Sequence, residues 1–134
     1  MSPRFAMPVR VFYEDTDAGG VVYYANYLRY LERARTEWLR QLGLPRGQLR
    51  ATVGWVFVVT QVEANYRRPA RLDDLLSVRA ELLEVSRASL LFAQAVWRDD
   101  ELLVDAKVRV ACVNQSDFKP QRLPAELLQR LRPS

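Results

Sequence analysis

The stretch Tyr13-Glu14-Asp15-Thr16-Asp17-Ala18-Gly19-Gly20 places three carboxylates within four positions, just ahead of a helix-periodic segment that begins near Tyr24. A helix N-terminus presents unpaired N–H groups and the positive end of the macrodipole, a cradle for a carbonyl oxygen gaining negative charge. A carboxylate on the loop feeding that helix can act as nucleophile or general base. The same residue types also suit a plain turn that leads into a helix. On residues alone, both readings stand.

The rest of the composition narrows the chemistry. The chain has no histidine and a single cysteine, Cys112. Ser-His-Asp and Cys-His catalysis, His-ligated zinc, imidazole acid–base chemistry, an intrachain disulfide and a cysteine metal cage are all excluded. Carboxylates, hydroxyls, arginines and backbone N–H groups remain, and neither a metal nor a cofactor is expected. The net charge is +4, and eighteen of the twenty cations are arginine, the side chain suited to bidentate phosphate or carboxylate recognition. Glu32 and Glu37 interrupt the helical arginines and no nucleic-acid motif is present, so nucleic acid is not an expected partner.

Positioning these groups falls to a short list of elements. At 134 residues and 49% hydrophobic, the chain reads as one domain over 1–134 with a real core. Val9 to Tyr13 alternates like a strand. Tyr24, Tyr27, Leu28, Leu31, Arg35, Trp38, Leu39 and Leu42 mark one face of a helix over Tyr24 to Leu42, which Gly43 and Pro45 terminate. A turn of helix is read over Pro45 to Ala51. Strands follow at Trp55–Tyr66, Leu75–Val85, Leu90–Arg98 and Leu102–Val113, then a short helix over Pro124–Leu131. Cys112 alternates with core valines, and Trp38, Trp55 and Trp97 read as packing residues. One long helix on about five mostly antiparallel strands is an α+β plan. A single helix covers one face only, so a homodimer or homotetramer is expected. No apolar run reaches the ~20 residues of a membrane span, and Met1–Phe5 lacks a secretory apolar core. Cytoplasm is the expected compartment.

The order Tyr13-Glu14-Asp15-Thr16-Asp17-Ala18-Gly19-Gly20-Val21-Val22-Tyr23-Tyr24-Ala25-Asn26-Tyr27, followed by Arg29 to Glu37, resembles the signature of hotdog-fold acyl-CoA thioesterases. The likeness is to the 4-hydroxybenzoyl-CoA thioesterase-like branch, and within it the Tol-Pal-associated subgroup. Asn65-Tyr66-Arg67-Arg68-Pro69-Ala70 with Asp73-Asp74, and Lys107 to Val113 with Lys119-Pro120, extend it over nearly the whole chain. The resemblance implies a hotdog fold and hydrolysis of an acyl-CoA thioester.

It also implies roles. Asp17 takes the place of the catalytic carboxylate, attacking the thioester or activating water. The backbone N–H at about Tyr24 polarises the thioester carbonyl. Asp15 shapes the loop and is the alternative catalytic acid. Where the subgroup carries histidine this chain carries Tyr24, whose side chain is then a packing residue or a wall of the acyl pocket. Arg87, in a hairpin whose counterpart in relatives contacts CoA phosphates, and Arg67, Arg68 and Arg71 are the expected substrate cations. Acyl carrier protein is a second conceivable carrier of the acyl group. The competing reading is a silent hotdog protein that binds acyl-CoA or acyl carrier protein without turnover.

Overall fold

Alternating burial along four of the strands builds one face of a five-stranded sheet. The computed structural model describes residues 4–43 and 54–131; the helical turn expected over 45–51 lies outside them. The strands are β1 (Arg4–Arg10), β2 (Trp55–Tyr66), β3 (Leu75–Val85), β4 (Ser89–Arg98) and β5 (Glu101–Asn114), in spatial order β1-β3-β4-β5-β2. Every neighbouring pair is antiparallel. The long helix α1 (Tyr24–Gln41) crosses one face, and α2 (Ala125–Leu131) follows β5. This is the expected hotdog arrangement of one long helix against an antiparallel sheet.

Period-2 patterning puts Leu76, Val78, Ala80 and Leu82 of β3 and Leu90, Phe92 and Val96 of β4 against α1. The helix answers with Tyr27, Tyr30, Leu31, Ala34, Trp38 and Leu39. Trp38 is 1% exposed and meets Phe92 edge-on at 5.1 Å. Truncating such a side chain costs about 3–5 kcal/mol, which marks Trp38 as a fold residue. Gln94 is the buried polar exception on this face. Its amide donates to the Leu31 carbonyl at 3.0 Å, and its carbonyl oxygen accepts from Arg35 at 2.9 Å. Cys112 is fully buried, and burial pushes its thiol up to about 11, as expected of a packing cysteine. Trp55 and Trp97 are half-buried, Trp97 beneath the Arg79 guanidinium at 4.9 Å.

Two elements differ from the sequence reading. The first strand runs Arg4–Arg10 and not Val9–Tyr13, because Asp15 accepts the Phe12 N–H at 2.8 Å and turns the chain into a 3-10 turn over Tyr13–Asp15. Pro8, with no N–H, is tolerated because β1 is an edge strand. On α1, Tyr24 and Leu28 belong to the exposed flank, at 61% and 39%, while the unflagged Tyr30 and Ala34 are fully buried. The helix end is as read: Gly43 adopts φ +83°, open to glycine, and Arg130 caps the Leu42 carbonyl at 2.6 Å. No described helix is long and apolar enough to cross a membrane.

Candidate active site

After β1, the chain stays pinned to the segment that precedes β3: Val11 donates to the Asp74 carbonyl at 2.9 Å and Asp73 donates back to Val11 at 3.0 Å. The 3-10 turn then brings the acids round to the start of α1. Asp15 is committed to this architecture. Oδ2 accepts from Phe12 N–H at 2.8 Å, Oδ1 accepts from Asn26 Nδ2 at 2.9 Å, and its carbonyl accepts from Tyr23 N–H at 3.1 Å. The buried Tyr30 phenol faces the same carboxylate. Burial first, and the Asp15 charge second, raise its pKa and keep it protonated. Asn26 stands in the Tyr13–Tyr27 motif, which assigns it no role of its own; its offset of eleven residues from Asp15 carries no periodic signal.

Asp17 is held differently. Its N–H donates to the Val21 carbonyl at 2.9 Å and its carbonyl accepts from Gly20 at 3.0 Å, closing a tight turn. Oδ1 accepts from Gly19 N–H at 2.8 Å, whereas Oδ2 makes no hydrogen bond among the described residues. A Cβ added at Gly19 would lie 3.2 Å from Oδ1, so glycine leaves that carboxylate room to turn back on its own loop. One oxygen is thus anchored and the other presented to solvent. Asp17 lies in a depression of about 360 Å³ that also takes in Tyr23, Asn26 and Arg29.

The start of α1 complements it. Tyr23 occupies the N-cap position and supplies no side-chain cap. The Asn26 N–H returns to the Tyr23 carbonyl at 2.8 Å, but the N–H groups of Tyr24 and Ala25 donate to nothing among the described residues. Free N–H groups at a helix start are suited to a carbonyl oxygen that becomes an oxyanion. Around them stand tyrosines. Tyr24 lies 4.9 Å from Tyr23 and 6.1 Å from Tyr66 between ring centres, and Tyr66 lies 5.6 Å from Tyr27. The Tyr24 phenol raises the pKa of Tyr23; burial, with Tyr24 second, raises that of Tyr66. Tyr23 and Tyr66 are therefore neutral walls and donors around neutral pH, not bases.

The expected cations separate into two groups. Arg67 and Arg68 follow Tyr66 directly and share its end of the sheet. Arg67 is paired with Asp105 at 2.8 Å, which holds that carboxylate below its usual range, and Arg68 with Glu101 at 3.1 Å. Arg71 lies beside Val21 through a bridge between the two backbones. Arg87 is not brought near them. It sits in the β3–β4 loop, where its carbonyl accepts from Leu123 N–H at 3.0 Å, while the Asp17 loop adjoins the opposite end of β3. At ~3.3 Å per residue, that strand separates the two by roughly 35 Å within one chain. Arg98, which no sequence motif singled out, lies at the near end: Nη1 reaches Asp74 Oδ2 at 2.7 Å and the Pro69 carbonyl at 3.3 Å.

Comparison with known proteins bears on the fold and the family. The Thioesterase-like superfamily model matches residues 11–131. The acyl-CoA thioesterase YbgC of Haemophilus influenzae is 48% identical over 123 residues, covering 92% of this chain and 90% of that protein. The acyl-CoA thioester hydrolase YbgC of Escherichia coli O6:H1 is 44% identical over 125 residues, covering 92% of each. A probable thioesterase from Bartonella henselae superposes with a TM-score of 0.87 at 37% identity, covering 91% of this chain and 100% of that one. With an antiparallel sheet crossed by one long helix, and with these matches over nearly its whole length, this chain belongs to the Thioesterase-like superfamily and is a hotdog-fold thioesterase.

Proposed function

We propose that this single-domain enzyme hydrolyses acyl-CoA to the free acid and CoA, with Asp17 attacking the thioester carbonyl or activating the water that does so. The observation that carries the reading is the pairing of a half-free carboxylate, Asp17 with Oδ2 unengaged, with the unbonded N–H of Tyr24 at the helix start. As the carbonyl carbon becomes tetrahedral, its oxygen gains charge against that N–H and the positive end of α1. Thiolate departs and is protonated by solvent, which suffices because a thiol needs little acid assistance near its pKa of ~8.5. Where Asp17 itself attacks, water then cleaves the acyl–Asp17 anhydride, releasing the free acid and restoring the carboxylate. The relatives named acyl-CoA thioesterase support the CoA carrier; acyl carrier protein is the competing one. No cofactor enters the reaction.

One chain leaves the site open. Asp17 is exposed, Tyr24 is 61% exposed, and β2 is an edge strand carrying the half-exposed Val59 (47%), Val62 (40%) and Tyr66 (45%). A long, apolar, unpaired edge is a template for another strand, so the working form is at least a homodimer whose acyl site lies where subunits meet. Arg67 and Arg68 then flank the site from the same chain. Arg87, some 35 Å away by the strand rise, reaches CoA phosphates only at a neighbouring subunit's site. Cytoplasm, where acyl-CoA is made, is the matching compartment.

The test is release of free thiol across a panel of acyl-CoA and acyl carrier protein esters, with light scattering on the same samples. Hydrolysis by a dimer or tetramer is expected. Tight binding of acyl-CoA with no thiol release would establish the silent-binder reading instead, and an active monomer at micromolar concentration would defeat the shared site.

A further inference from the structure

A single buried residue between β2 and β3 touches both halves of the catalytic arrangement. Ala70 is fully buried. Its carbonyl accepts from Val22 N–H at 2.8 Å, and its own N–H donates to the Tyr27 hydroxyl at 3.0 Å. Val22 is on the return arm of the Asp17 turn, paired backbone to backbone with Thr16, while the adjacent Val21 accepts the Asp17 N–H at 2.9 Å. Tyr27 is one helical turn beyond Tyr24. The carboxylate loop and the helix start are therefore referenced to the same residue.

Ala70 is in turn braced from behind. The Arg98 guanidinium, at the end of β4, bridges three acceptors: Asp74 Oδ2 at 2.7 Å, the Pro69 carbonyl at 3.3 Å and the Glu101 carboxylate. Asp74 Oδ2 also accepts the Arg71 N–H at 2.8 Å, closing the segment that contains Ala70 into a loop of fixed shape. The Arg98 and Asp74 side chains are only 22% and 23% exposed, unlike the open surface pairs that contribute little. A planar guanidinium can satisfy this forked set of acceptors; an ammonium cannot reach all three.

We propose that Tyr27 and Arg98 are positioning residues: acting through Ala70, they set the separation between the Asp17 carboxylate and the free N–H groups at the start of α1. The inference rests on the reading that those two groups are the catalytic ones. Its force comes from geometry. A misplacement of about 1 Å between reacting groups can cost on the order of 10²-fold in rate, and neither residue needs to meet the substrate to impose it.

The experiment uses Tyr27→Phe, Arg98→Lys, their double variant and Asp17→Asn, assayed at a temperature well below each melting point. Steady-state kinetics on one acyl-CoA is combined with amide hydrogen exchange at Val22, read by NMR. Expected for each single variant is a kcat lower by about 5- to 50-fold with KM within about threefold, and exchange at Val22 faster by about tenfold or more. The double variant should lose far less than the product of the two single losses, since both act through Ala70. Wild-type kcat in folded Tyr27→Phe and Arg98→Lys, alongside an inactive Asp17→Asn, overturns the positioning role and leaves the catalytic reading standing. Unchanged protection at Val22 overturns the link through Ala70 whatever the kinetics, and losses that multiply in the double variant overturn the shared route. An Asp17→Asn enzyme with wild-type kcat removes the catalytic reading and the positioning role together.

Discussion

Asp17→Asn and Asp15→Asn apply the same change of one oxygen to an amide nitrogen, yet the partners of the two carboxylates make opposite results expected. Asp17 has one bonded oxygen, Oδ1, which accepts from Gly19 N–H at 2.8 Å. An asparagine keeps that bond with its carbonyl and turns its NH2 to the unengaged side. Stability should change by no more than about 0.5 kcal/mol. Charge and nucleophilicity vanish, so kcat should fall at least ~10²-fold, about 2.7 kcal/mol of barrier. Asp15 has both oxygens engaged, by Phe12 N–H at 2.8 Å and Asn26 Nδ2 at 2.9 Å. Either orientation of an asparagine there opposes a donor to a donor, loses one bond and costs about 1–3 kcal/mol. For a chain of this size that is a Tm drop of roughly 3–5 °C per kcal/mol. Thiol release at saturating acyl-CoA and thermal melting, on both variants, decide the matter. More than a tenth of wild-type kcat in Asp17→Asn refutes its role. A melting point for Asp15→Asn equal to wild type refutes the assignment of Asp15 to the loop's framework.

Tyr24→Phe should keep kcat within about fivefold, because the proposed donor is the backbone N–H; a hundredfold loss in a folded protein would make the phenol a participant. Tyr24→His should introduce a titration near ~6.5 in kcat/KM that the histidine-free enzyme lacks, and an unchanged profile would show that this side chain does not touch the chemistry. Arg87→Ala should raise KM for CoA esters more than for pantetheine esters, the difference narrowing as salt rises; equal effects on both substrates would remove Arg87 from the phosphate site. Burial alone would raise the Asp74 carboxyl, but the Arg71 N–H and the Arg98 guanidinium bring it below its usual range. A folded pKa below the unfolded ~3.9 stabilises above that value and is lost as pH falls through the folded one. The stability gap between wild type and Arg98→Gln, measured by urea unfolding, should therefore be wider at pH 7 than at pH 3, and a pH-independent gap would contradict the pairing.

Strands β3, β4 and β5 and the helix α1 were legible because each buries one face, so a period of two or 3.6 is written into residue type. β1 misled because its alternation continued through Phe12 and Tyr13, which are 60% and 81% exposed; what bends the chain there is the Asp15 side chain, invisible to periodicity. Asp17 stands out as a candidate in the sequence because carboxylates crowd a helix-feeding loop and because it falls in a long motif. The roles of Asn26, Ala70 and Arg98 escaped. Their work is done by contacts spanning eleven to forty-three residues of sequence, and a small apolar residue such as Ala70 carries no chemical label. Arg87 shows a different limit: residue type suits it to phosphate, but only the fold reveals that β3 sets it at the other end of the sheet from Asp17 in its own chain.

The helix start itself departs from the rules of helix stability in a way that bears on catalysis. Ser, Thr, Asp and Asn are favoured at an N-cap and contribute about 1 kcal/mol through a bond to the exposed N–H groups. α1 has Tyr23 there, with no side-chain cap and no acidic residue in its first turn. Two aspartates precede it within eight residues, yet Asp15 spends its oxygens on Phe12 and Asn26, and Asp17 anchors on Gly19. A capping side chain at Tyr23 would stabilise the helix through an N–H of its first turn and crowd the place where the proposed mechanism puts the thioester oxygen. Local rules of helix stability are broken chiefly where function needs the break. The uncapped start of α1 fits that pattern: packing of Tyr27 and Tyr30 against the sheet supplies the stability instead, and the N–H groups of Tyr24 and Ala25 stay free for the oxyanion that the proposed mechanism places there.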